Sequence, residues 1–257
     1  MTDLAVARAF SQAARHYDEH ASVQLACART LLDMMPVMDL PGDAMDLGCG
    51  TLPLARPMRE RFPDHRWWAV DVSDAMLEEA AERGRLAGWQ ALRADAEQLP
   101  FAANMFRLVY SSFALQWASS PASVLAEIGR VMAPGAVLAL SVPLRGTLTE
   151  LQASWAQVDG GEHVNQLPDM RQWCQAASGA SLAVTHQQQL TMTVHYPDAR
   201  AVARSLKETG ANVVRGRRPG LVAPARFRAM EAAYEQLREE QGLPLSWQAG
   251  FLLMEKT

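Results

Sequence analysis

Met45-Asp46-Leu47-Gly48-Cys49-Gly50 is the stretch that decides the fold. The short apolar run from Ala44 to Leu47 reads as a strand, and the two glycines after it let the chain turn sharply toward a helix that runs to Arg61. Glycine can do this because it carries no Cβ, so its backbone can bend left-handed or come close to a ligand. Taken alone, the same pattern is also simply a tight strand-to-helix turn.

Working outward, the chain alternates between strand and helix. Trp67 to Val70 reads as a second strand, ended by Asp71, and Ser73 offers an N-cap to a helix that runs to Leu86. Ala91 to Ala94, Phe106 to Ser111 and Val137 to Val142 read as further strands. The last two are separated by a helix from Val124 to Met132 and the turn Pro134-Gly135. Parallel strands need such crossovers, so this rhythm predicts an α/β, doubly wound, mostly parallel seven-stranded sheet with its ligand at the carboxyl ends of the strands. Residues 3 to 35 read as helical. Helices are expected at 147–158, 169–178, 197–208 and 223–241, with strands at Ser181 to His195 and Leu245 to Met254. The whole chain, 1–257, reads as one domain: a helical cover over 1–40, a cofactor-binding core over 43–142, a lid with sheet completion over 145–240 and a final strand over 243–257.

Three acids sit where this geometry places a ligand. Asp71, at the end of the second strand, can accept both hydroxyls of an adenosine ribose, or simply lead a helix beside the Ser73 cap. Asp95, in Ala94-Asp95-Ala96-Glu97-Gln98, can accept an adenine amino group, or be a loop acid with no ligand. A nicotinamide dinucleotide site would favour a third glycine, but Thr51-Leu52-Pro53 follows Gly50. S-adenosylmethionine has no pyrophosphate, and its ammonium group needs an acceptor where Asp46 stands. Residues 43 to 142 thus resemble the class I S-adenosylmethionine-dependent methyltransferases, with Asp46, Gly48, Gly50, Asp71, Asp95 and Gly135 on that group's landmarks. The resemblance also implies that Cys49, Val72, Met76, Ala96, Ser111 and Tyr17 line the cofactor.

The 257 residues are 49% hydrophobic with a formal net charge of −4, which supports a packed core and gives no bias toward nucleic acid. Cys27, Cys49 and Cys174 show no metal-ligand spacing and suit reduced thiols. No apolar run reaches the roughly 18 residues that a membrane span needs. A cytoplasmic monomer without metal is expected.

Outside the core, Phe10-Ser11-Gln12-Ala13-Ala14-Arg15-His16-Tyr17-Asp18-Glu19-His20-Ala21 resembles the N-terminal signature of the malonyl-acyl-carrier-protein O-methyltransferases. Phe113-Ala114-Leu115-Gln116-Trp117, Gly146 to Leu151, Arg204 to Asn212 and Leu243-Pro244-Leu245-Ser246-Trp247 are similar to that family too. The resemblance implies methylation of a malonyl thioester, on carrier protein or coenzyme A, at its free carboxylate, which starts pimelate assembly for biotin. The acceptor oxygen is already anionic, so no general base is required. Lys207, Arg204, Arg145 and Tyr17 are candidates to hold it. The basic run Arg215-Gly216-Arg217-Arg218-Pro219 is a candidate dock for an acidic carrier. Readings left open are another small carboxylate or quinol as acceptor, and a non-catalytic cofactor-binding protein. A nicotinamide oxidoreductase is disfavoured by the missing glycine. Leu52 stands where the family has a small residue, and Pro57 is expected to kink or delay its helix.

Overall fold

A computed structural model of the protein describes residues 4–36, 41–211, 213–214 and 223–257. Seven strands form one sheet: β1 (Gly42–Leu47), β2 (His65–Asp71), β3 (Trp89–Arg93), β4 (Phe106–Ser112), β5 (Met132–Pro143), β6 (Leu182–Tyr196) and β7 (Leu243–Lys256). Their order is β3-β2-β1-β4-β5-β7-β6. The first five run parallel, and β7 lies antiparallel between β5 and β6. The chain leaves β1 toward β2 and β3, then crosses to β4 on the other side. The carboxyl ends of β1 and β4 therefore flank the crevice that a doubly wound sheet opens at its switch point.

Side chains alternate between the two faces of the sheet, as strand geometry requires. Ala44, Leu108, Tyr110 and Ala139 join one core with Cys27, Leu31 and Met58. Met45, Val109, Leu138 and Leu140 join the other with Leu125, Ile128 and Trp173. The helices are α1 (Leu4–Ala13), α2 (Tyr17–His20), α3 (Ser22–Met34), α4 (Ala55–Arg61), α5 (Asp74–Glu82), α6 (Pro121–Val131), α7 (Thr149–Ala156), α8 (Met170–Gly179), α9 (Ala199–Glu208) and α10 (Pro224–Glu235). Helix α8 packs on α6 and β6 and completes a sheet layer. Helices α7 and α10 pack together, and α9 meets α1 and α2.

Three expectations change in detail. The predicted helix over residues 3 to 35 is broken by a 3-10 turn at Ala14–His16 and again at Ala21, whose ψ is 37°. Both Ala14 and Ala21 are buried, so packing sets the breaks, with no Gly or Pro to signal them. The helix expected to reach Leu86 stops at Glu82, just before Gly84 at φ +69°, and the one expected over 223–241 stops at Glu235. As Pro57 foretells, α4 starts late. Pro57 is its third residue, where an N–H would have no intrahelical acceptor. Leu52, at φ +53°, is fully buried, and that apolar burial offsets a left-handed cost of about 1–2 kcal/mol.

Candidate active site

The glycine turn after β1 is fixed from both sides. Gly48 and Cys49 donate backbone N–H bonds to the Val70 carbonyl at 2.7 and 3.1 Å, which pulls the loop across the end of β2. Gly48 lies at φ +72°, and a Cβ there would stand 2.2 Å from that of Ala114. Both its dihedral and its neighbour thus require glycine.

Asp71 ends β2 in a buried position. One carboxylate oxygen accepts the Gly50 N–H at 2.9 Å and the other accepts the Ser73 N–H at 2.9 Å. Burial pushes its carboxyl upward, against these backbone bonds. Val72, Met76, Ala94, Ala96 and Ser112 line the same cleft with it.

Asp46 is the notable acid. It is 6% exposed, and among the described residues no donor reaches its carboxylate. Burial, and then the Asp71 charge, raise it to about 8. An ionised carboxylate in that position needs a cation, and the ammonium of S-adenosylmethionine is one. An orphaned acid and a Cβ-free cradle beside the buried Asp71 carboxylate together fit that cofactor.

Tyr17 sits where three hollows meet. It lines the cleft of Asp71, the hollow of Asp46 and a larger cavity of about 270 Å³. Phe10, Phe113 and Trp117 join it on the wall shared by the cleft and the large cavity. The Phe10 ring lies 5.9 Å from Trp117 and 6.4 Å from Tyr17. Burial, then Asp71 and Asp18, keep the Tyr17 hydroxyl protonated far above its usual range.

Several expected site residues stand elsewhere. Ser111 is fully buried and donates to the Leu47 carbonyl at 2.7 Å, tying β4 to β1. Its neighbour Ser112 faces the cleft instead, because side chains alternate along a strand. The Asp95 carboxylate accepts the Glu97 N–H at 3.0 Å within its own turn, while the flanking Ala94 and Ala96 line the cleft. Cys49 lines the Asp46 hollow, with its thiol pushed well up by burial, then Asp71 and Asp46. Lys207, Arg204 and Arg145 are all exposed, and none lines the large cavity. Arg145 turns outward to Gln172 at 3.2 Å and Asp169 at 3.6 Å. The run Arg215 to Pro219, and Asn212, lie outside the described residues.

Other residues went unread in the sequence. Asp18 accepts the Thr51 hydroxyl at 2.5 Å and pairs with Arg83 at 3.1 Å and Arg85 at 2.7 Å. Burial opposes its ionisation, but the Thr51 hydroxyl and the two guanidinium groups hold it below the usual range. In the large cavity, His163 stacks on Trp155 at 3.8 Å and meets Asp159 at 2.9 Å. The indole N–H groups of Trp117 and Trp247, which also line this cavity, are buried without partners. Of these, Asp18, Trp117 and Trp247 stood inside recognised segments. His163 and Trp155 carried no local signal.

Residues 45–140 match a family model described as a methyltransferase domain. A malonyl-[acyl-carrier protein] O-methyltransferase of Alcanivorax borkumensis is 49% identical over 98% of this chain and 86% of its own. A biotin biosynthesis bifunctional protein of Cellvibrio japonicus is 32% identical over 98% of this chain and 50% of that longer protein. Among solved structures, the YcgJ protein of Bacillus subtilis aligns with TM-score 0.61 at 16% identity, over 90% of this chain and 97% of that one, a likeness of fold. The chain is an S-adenosylmethionine-dependent methyltransferase and belongs to the malonyl-[acyl-carrier protein] O-methyltransferase family.

Proposed function

We propose that the protein methylates the free carboxylate of a malonyl thioester, carried on acyl-carrier protein or coenzyme A, and so starts pimelate synthesis for biotin. The observation that supports this best is the character of the large cavity. It adjoins the cofactor cleft across Phe10, Tyr17, Phe113 and Trp117, and its described lining contains no Lys or Arg. A cation beside the acceptor would stabilise the carboxylate before reaction and blunt its nucleophilicity. Uncharged donors hold it more weakly, and desolvation leaves it reactive. The unpartnered indoles of Trp117 and Trp247 and the Tyr17 hydroxyl are such donors.

When bound, S-adenosylmethionine supplies an electrophilic methyl group on a positively charged sulfur. Asp46 and Asp71 orient the two ends of that molecule, and the four aromatic residues exclude water where cleft and cavity meet. Transfer then depends on alignment, which accounts for about 7–11 kcal/mol in well-oriented pairs. Helices α1, α2 and α3, with α7, α9 and α10, act as the cover and lid.

The test is transfer of label from S-adenosylmethionine to malonyl-carrier protein, with malonyl-free carrier as control. A base-labile methyl ester, lost in Asp71→Ala and made with raised KM by Trp247→Phe, is expected. Cofactor binding without ester formation on either thioester would overturn the substrate. A second reading, a quinol or other hydroxyl acceptor, draws on the His163–Asp159 pair in the cavity wall, since such an acceptor must lose a proton.

A further inference from the structure

The chain that follows the glycine turn, helix α4 and the loop from Gly84 to Trp89 enclose a further pocket of about 520 Å³. It shares no lining residue with the Asp71 cleft or the large cavity, and only Pro53 and Arg85 with the hollow of Asp46. Part of its lining is apolar. Leu52 and Ala55 are buried there, and the Trp89 indole is 8% exposed. The Trp89 N–H is buried without a partner among the described residues, a cost that a ligand oxygen reaching it would remove.

The charged part of the lining is basic. Arg56, Arg59 and Arg85 stand there against one acid, Glu60. Glu60 takes Arg56 at 2.6 Å, and Asp18 takes Arg85 at 2.7 Å. Arg59 meets no acid among the described residues. It donates to the Ala87 carbonyl at 2.7 Å and packs on Gly88, where a Cβ would stand 2.7 Å from the same nitrogen. Its guanidinium is therefore held in place with its charge uncommitted. One such charge beside an apolar surface suits a monoanion with an apolar body better than a phosphate dianion, and a guanidinium pairs with both oxygens of a carboxylate. We propose that this pocket binds a small aliphatic monocarboxylate, which weakens cofactor binding through Arg85. That side chain reaches Asp18 with one nitrogen and the Thr51 carbonyl at 2.9 Å with another, while it also lines the pocket. A carboxylate bound there competes with Asp18 for Arg85 and so loosens Tyr17, the residue before Asp18, from its place over the cofactor cleft.

Calorimetric titration of the full chain with octanoate, and with octanol as the uncharged control, tests the site. Octanoate should bind with Kd below about 5 mM, and octanol at least about tenfold more weakly. Arg59→Gln should raise Kd for octanoate about tenfold or more, and Arg59→Lys should recover part of the loss. Arg59 is exposed, so the thermal midpoint of both variants should not move. Saturating octanoate should raise Kd for S-adenosylhomocysteine about three- to tenfold, and S-adenosylhomocysteine should raise Kd for octanoate by the same factor. Arg59→Gln should remove this coupling while leaving S-adenosylhomocysteine binding without octanoate unchanged. No octanoate binding at about 5 mM, or binding that Arg59→Gln leaves intact, would overturn the site. Octanoate binding that depends on Arg59 but leaves Kd for S-adenosylhomocysteine unchanged would overturn the link through Arg85.

Discussion

The Asp18 carboxylate and the Arg85 guanidinium meet at 2.7 Å across the gap between the N-terminal cover and the segment after α5. Thr51, in the turn after β1, donates its hydroxyl to the same carboxylate and its carbonyl accepts from Arg85. This triangle latches α2 onto the glycine turn and holds Tyr17, the preceding residue, over the cleft. Asp18→Asn keeps the size and removes the charge. Dissociation of S-adenosylhomocysteine should quicken several-fold, consistent with about 1 kcal/mol for a partly exposed pair. Stopped-flow displacement measures it, and an unchanged rate would mean that the latch does not restrain the cover.

Asp46 gives a pH signature of the opposite kind to an ordinary paired acid. Its folded-state value is raised from 3.8 to about 8, first by burial and then by Asp71. Its contribution to stability is therefore complete below 3.8 and lost as pH rises through about 8. The thermal midpoint of cofactor-free protein should fall between pH 5 and pH 8.5 by more than in Asp46→Asn. Binding an ammonium group, itself titrating near 7.7–8.0, converts a neutral acid into half of an ion pair, so at pH 7 it should release about one proton. Titration calorimetry in buffers of different ionisation enthalpy reads that number directly. Zero release would mean that Asp46 is already charged in the free protein.

The sheet was legible because its signals are local. The glycine turn, Asp71 and the strand–helix alternation each lie within a few residues, and parallel strands permit few arrangements. Asp46, Gly48 and Asp71 accordingly face the crevice together. Ser111 and Asp95 are placed by details that no spacing encodes: a one-residue alternation turns Ser112 rather than Ser111 into the cleft, and one Asp95 oxygen accepts from its own turn. The acceptor cavity was least legible. It is assembled from α2, α7, α9, α10 and the segment near His163, so only folding brings Trp155 to Trp247 or Phe10 to Trp117. Lys207 and Arg204 looked like anion holders because they are cations in a recognised segment, but helical spacing sends them to the face opposite Val202 and Leu206.

His163 separates the two classes of acceptor. His163→Phe keeps a ring to stack on Trp155 and leaves Asp159 paired with Arg226, but removes the imidazole as a proton acceptor. A malonyl carboxylate needs no base, so kcat should change by less than about threefold, whereas a hydroxyl acceptor relying on this imidazole would lose about 10²–10⁴. Single-turnover transfer from labelled cofactor decides between them. A collapse of kcat with malonyl-carrier protein and an unchanged fold would mean that transfer to the carboxylate depends on this imidazole after all.

Helix α9 offers the last prediction. Ala199, Ala203 and Leu206 line the cavity, while Arg200, Arg204 and Lys207 stand exposed at helical spacing. Arg200 is partly neutralised by Glu231 at 3.1 Å, whereas Arg204 and Lys207 meet no acid among the described residues. One wall of the cavity therefore carries a basic ridge on its outer side, where an acidic carrier would be attracted while its acyl group is inside. The double change Arg204→Glu with Lys207→Glu should raise KM for malonyl-carrier protein roughly tenfold, about 1.4 kcal/mol, and flatten its salt dependence. Malonyl-coenzyme A carries its own phosphates but no extended acidic face, so its KM should move much less. Equal rises for both thioesters would return these residues to the acceptor site, and no rise for either would leave α9 outside carrier recognition.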